Sequence, residues 1–158
     1  MARVTRRIAA LAAALLAATL LVACGGSSTN DKNAYARKVN AAQTKFADTV
    51  ATVDDQSRSA QSIALQRRTL RRFKGAIDRV VADLRAIDPP SDVTTQHGRL
   101  VAVMAGFDRS VGQAVAALGD PTPEGIDLAK RRLQAVIQTV NARVAAALAA
   151  INVKLKGT

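Results

Sequence analysis

Residues 70–104 read LRRFKGAIDRVVADLRAIDPPSDVTTQHGRLVAVM, and their pattern decides the fold class. Before the proline pair, Leu70, Phe73, Ile77, Val80, Leu84 and Ile87 recur at steps of mostly three and four. After it, Val93, His97, Leu100 and Met104 do the same. That spacing puts each set on one face of a helix with 3.6 residues per turn. Pro89-Pro90 stops the first helix, because a residue before proline avoids the helical region and proline has no N–H to donate. Ser91 or Asp92 then caps the next helix. Two amphipathic helices joined by so few residues lie side by side in opposite directions.

The same periodicity continues on both sides. Upstream, residues 31–54 carry Tyr35, Val39, Ala42, Phe46, Val50 and Val53 on one stripe. The helix around the quoted stretch spans residues 58–88 and adds Ile63. Residues 92–118 extend the third stripe through Phe107, Val111, Ala114 and Leu118. A fourth, at 123–155, carries Ile126, Leu133, Ile137, Val140, Val144, Leu148, Ile151 and Leu155. Asp54-Asp55-Gln56-Ser57 is expected to be the polar break between the first two helices. Gly119 and Thr122-Pro123-Glu124 are expected to close the third helix and open the fourth, with a cap, a proline at the first helical position and an acid near the positive helix end. No segment alternates at period two. The predicted fold is all-α, an antiparallel up-down four-helix bundle over residues 31–158 with a left-handed supercoil. A three-helix arrangement with a detached first helix is the structural alternative.

Ahead of the bundle, Arg3, Arg6 and Arg7 precede an uncharged apolar run at residues 8–22. A basic start followed by a short apolar core is the layout of an export signal, and the run falls short of the roughly 20 residues of a spanning helix. It ends in Leu21-Val22-Ala23-Cys24, which resembles the bacterial lipobox. The resemblance implies cleavage between Ala23 and Cys24, with diacylglycerol on the Cys24 thiol. Residues 1–23 are then a cleaved lipoprotein signal peptide. Residues 24–30, the acylated cysteine and a run of Gly, Ser, Thr and Asn, are a short flexible tether. Cys24 is the only cysteine, so an intrachain disulfide is excluded. Two or more acyl chains anchor stably, at about 0.8 kcal/mol per buried methylene. The expected location is the extracytoplasmic face of the cell membrane. Together with the pattern around Ile87-Asp88-Pro89-Pro90, these features make the chain similar to small, alanine-rich helical lipoproteins of high-GC bacteria; that similarity implies a location and no reaction.

Candidate chemistry is sparse. His97 is the only histidine and falls on an apolar stripe, where a half-buried side chain is the expected role. Met104 lies two turns away on the same helix, about 10 Å along the axis, too far for both to ligate one ion from the same side. CxxCH and Glu-x-x-His pairs are missing, as is a G-x-S-x-G elbow, so no metal, cofactor or enzymatic activity is expected. The Asp48, Asp78, Asp83 and Asp108 carboxylates read as solvated surface.

Charge is the clearest remaining signal. The chain carries 23 basic and 12 acidic residues; without Arg3, Arg6 and Arg7 the net charge is still +8. Arg67, Arg68, Arg71, Arg72 and Lys74 cluster on the second helix, with Arg79 extending the row, and Lys130, Arg131 and Arg132 cluster on the fourth. The two clusters are expected to form a basic band suited to a polyanion: anionic lipid, an anionic wall polymer or an acidic protein. With so few aromatics for base stacking, and with export, nucleic acid is not an expected partner. Asp54, Asp55, Asp120, Glu124 and Asp127 are expected at the far tip, and Lys154 and Lys156 at the membrane end. Gly98, Gly106 and Gly112 interrupt the third helix off its apolar stripe. The expected function is a non-enzymatic interaction or scaffold module at the cell envelope. The alternative is a carrier holding an apolar ligand between the helices, which requires a cavity of several hundred Å³.

Overall fold

The computed structural model describes residues 27–59, 62–119 and 122–157. These form four helices, α1 (Ser27–Ser59), α2 (Ile63–Arg85), α3 (Thr94–Ala117) and α4 (Pro123–Lys156), with a 3₁₀ turn at Ser91–Val93 ahead of α3. No strand occurs among the described residues. α1 packs on α2, α2 on α3 and α3 on α4. All four helices contribute to one core, so α1 is not detached.

The stripes read from the sequence are the buried faces. Tyr35, Val39, Ala42 and Phe46 of α1 are buried, as are Phe73, Ile77, Val80 and Leu84 of α2. Every position on the third stripe from Val93 to Leu118 is buried, and so are Ile137, Val140, Val144, Leu148, Ile151 and Leu155 of α4. Ala36, Ala47, Ala76 and Ala147 are also buried beside the stripes, where a methyl group lets the neighbouring helix approach closely. Leu70 and Leu133 are only partly buried. The side chains of Val50, Val53, Ile63 and Ile126 lie outside the described residues.

The three phenylalanines tie α1, α2 and α3 together. Phe46 and Phe73 have ring centroids 6.3 Å apart, and Phe73 meets Phe107 edge-on at 5.8 Å. Such pairs contribute about 0.5–1.5 kcal/mol beyond the area they bury. By length and composition, Arg131–Lys156 of α4 is apolar enough to cross a membrane. Six of its larger side chains are those already placed in the core.

The helix ends differ from expectation at three places. Ser27, Ser28, Thr29 and Asn30 are helical rather than part of a flexible tether. Asp54-Asp55-Gln56-Ser57 is not a break, since α1 continues to Ser59. The four residues include neither glycine nor proline, and polar side chains on a solvated face do not stop a helix. The cap of α2 is Ser62, whose Oγ accepts from the Leu65 amide at 3.2 Å. Between α2 and α3 the Val93 amide donates to the Pro90 carbonyl at 3.0 Å, forming the 3₁₀ turn. Neither Ser91 nor Asp92 acts as the side-chain cap of α3. The start of α4 follows expectation: Thr122 Oγ1 accepts from the Gly125 amide at 3.1 Å, next to Pro123.

Candidate polyanion-binding face

The basic residues of α2 separate into two groups once their partners are known. Arg67 is half-buried, and its Nη1 donates to the carbonyls of Leu118 and Gly119, each at 3.4 Å. Those carbonyls end α3 and have no partner within the helix, so Arg67 closes α3 with a cation at its negative end. Lys74 donates to Asp78 at 2.9 Å and to Asp108 at 3.2 Å, joining α2 to α3. These hydrogen bonds, that to Asp78 first, raise the Lys74 pKa. The bond from Lys74 holds Asp78 below the usual carboxylate range, whereas partial burial and then the neighbouring Asp78 push Asp108 above it.

Gly112 makes room for this ion pair. A Cβ there would stand 3.2 Å from Lys74 Cε, so the lysine stem lies across the bare backbone of α3. Nothing comparable crowds Gly98 or Gly106.

Arg68, Arg71 and Arg72 are exposed, and Arg79 and Arg85 extend the exposed face. Arg131 and Arg132 are exposed on α4, while the Lys130 side chain lies outside the described residues. Among the described residues α3 packs against both α2 and α4. Glu124, Lys154 and Lys156 are exposed, whereas the side chains of Asp54, Asp55, Asp120 and Asp127 lie outside the described residues. Ala23, Cys24 and the rest of the lipobox also lie outside them.

His97 has a structural role that its isolation in the sequence conceals. It is 6% exposed and uses both ring nitrogens: Nε2 is 3.0 Å from the Leu84 carbonyl and Nδ1 is 3.1 Å from the Tyr35 hydroxyl. A carbonyl can only accept, so Nε2 carries the proton and Nδ1 accepts from Tyr35 in the neutral ring. The two rings also meet edge-on at 5.6 Å. Burial lowers the imidazole pKa, against an opposing contribution from the Leu84 carbonyl, and burial raises that of the Tyr35 phenol. The pair is a buried polar clasp linking α1, the end of α2 and α3. The sequence signal for it was the single tyrosine on the first stripe and the single histidine on the third.

At the centre of the four helices is a cavity of about 20 Å³, walled by Phe46, Leu84, Met104 and Val144 among others. That is room for about one water molecule. No group of three or more potential metal-ligating side chains occurs among the described residues. Comparisons of the chain with protein-family models, with curated proteins and with solved structures return no match.

Proposed function

We propose that this chain is an exported lipoprotein, anchored through Cys24 on the outer face of the cell membrane, whose helical domain is a non-enzymatic interaction module. The observation that carries the proposal is the sequence Leu21-Val22-Ala23-Cys24 at the end of an uncharged apolar run that follows three arginines. Because Ser27 is already helical, at most Gly25 and Gly26 separate the helix from the anchor. The domain then sits close to the headgroups.

The helices run up-down-up-down in this proposal. In support, Lys32 pairs with Asp92 at 3.0 Å and Tyr35 meets His97, so the starts of α1 and α3 are together. Arg67, early in α2, reaches the end of α3. Lys45 of α1 pairs with Asp83, late in α2, at 3.3 Å. Lys154 and Lys156 then share the anchored end and face anionic lipid, while Arg68, Arg71 and Arg79 point sideways, available to a polyanionic partner. The central cavity is an order of magnitude below what an apolar ligand needs, which favours an interaction module over a carrier.

Crosslinking in intact cells tests the proposal, comparing the wild type with Cys24→Ala and with Arg68→Glu/Arg71→Glu. Cys24→Ala is expected to leave the membrane fraction or accumulate as precursor, and the charge-reversed protein to stay membrane-bound but lose partners. Recovery of the same partners by all three forms contradicts the proposal.

A further inference from the structure

Arg68, Arg72 and Arg79 form a narrow row along one helix. At 3.6 residues per turn, Arg72 and Arg79 fall within about 40° of Arg68, and the row runs for about 16 Å along the axis. All three are exposed, and Arg68 and Arg79 have no anionic partner among the described residues. Arg71 stands on one shoulder of the row, also exposed and without such a partner. Like charges three and four residues apart disfavour a helix, and Arg68 and Arg71 carry that cost with no anionic partner among the described residues.

Gly75 sits in the middle of the row. A Cβ there would touch nothing within 4 Å, so no neighbour requires a glycine, and glycine is the poorest helix former after proline. Gly112 is different, since Lys74 lies against it. The row is therefore a strip of guanidinium groups with bare backbone at its centre, open for close approach from outside.

We infer that this strip binds a linear phosphate-linked polyanion lying along α2. The guanidinium fork matches phosphate oxygens in pairs, and successive arginines along one axis suit a chain of phosphates. A lipid surface is planar and needs charge spread over several helices; here the strip is one helix wide. The inference rests on the interaction-module proposal and deepens it, and it does not depend on acylation of Cys24.

The test is fluorescence anisotropy of end-labelled inorganic polyphosphate with the purified full chain, alongside co-sedimentation with phosphatidylglycerol vesicles. Arg68→Gln/Arg79→Gln is expected to weaken polyphosphate binding at least about tenfold, and Gly75→Leu about fivefold with every charge retained. Removing the same charge elsewhere, with Arg99→Gln/Arg143→Gln, is expected to change it less than about twofold. Thermal melts of each variant verify folding. Equal losses in the two double variants overturn the inference, because they mean diffuse attraction. Full retention by Gly75→Leu, absence of polyphosphate binding, or vesicle binding that alone depends on Arg68 and Arg79 also overturns it. Any of these outcomes leaves the Cys24 anchor to be decided by its own measurement.

Discussion

His97 is held at both ring nitrogens, so folding favours its neutral form. In the unfolded chain the imidazole has its ordinary pKa near 6.5, and burial lowers it in the folded domain. Between the two values the unfolded chain binds more protons. The stabilisation is therefore fully present above about pH 6.5 and is lost as pH falls from there through the folded value. His97 is the only histidine, so no other side chain ordinarily titrates in that window. The melting temperature of the domain is expected to fall between pH 7 and pH 5, and His97→Gln to flatten that dependence; an equal slope in both proteins would refute the assignment. Tyr35→Phe leaves Nδ1 buried without its donor and is expected to cost about 1–3 kcal/mol in urea unfolding. That the histidine faces the core was legible from its place on the stripe, although the expected half-buried side chain is 6% exposed. Its partners were not, because Tyr35 lies 62 residues away and Leu84 contributes only its backbone.

At the scale of the helix, most of each buried stripe was legible where its side chains are described, with Leu70 and Leu133 only partly buried, because periodicity reports which face meets the core. The ends were less so. The start of α4 was readable because Thr122 and Pro123 act locally, whereas Asp54 to Ser57 look like a break only if charge is mistaken for a stop. Arg67 illustrates a second limit: its neighbours in sequence are solvated arginines, yet it caps a helix that ends 51 residues later. Glycines divide in the same way. Gly75→Ala is expected to stabilise the domain by about 0.5–1 kcal/mol, the ordinary helix-propensity gain. Gly112→Ala should gain less, since the new methyl group must displace the Lys74 stem and loosen its hold on Asp108. Chemical denaturation of the two variants side by side checks the ranking, and a larger gain at Gly112 contradicts it. Ser62→Ala is expected to cost about 1 kcal/mol by removing the cap of α2.

For the whole molecule, the core joins all four helices around a space no larger than a water, and the chemical variety lies on the outside. The α2 arginines were legible as a cluster but not as separate roles: Arg67 and Lys74 serve the fold, while Arg68, Arg71 and Arg79 face solvent. The expected band with α4 depends on which helices are neighbours, which periodicity cannot tell; among the described residues α2 and α4 each pack on α3. The proposed interaction module would work only where it is held, so the proposed anchor at Cys24 is the central claim. Intact-mass spectrometry of the protein extracted from membranes tests it most directly. The predicted result is a chain beginning at Cys24 and heavier than its sequence by diacylglycerol, with the added mass absent from Cys24→Ala. An unmodified Cys24, or a membrane-bound chain that retains Met1 and residues 2–23 as its mature form, would contradict it.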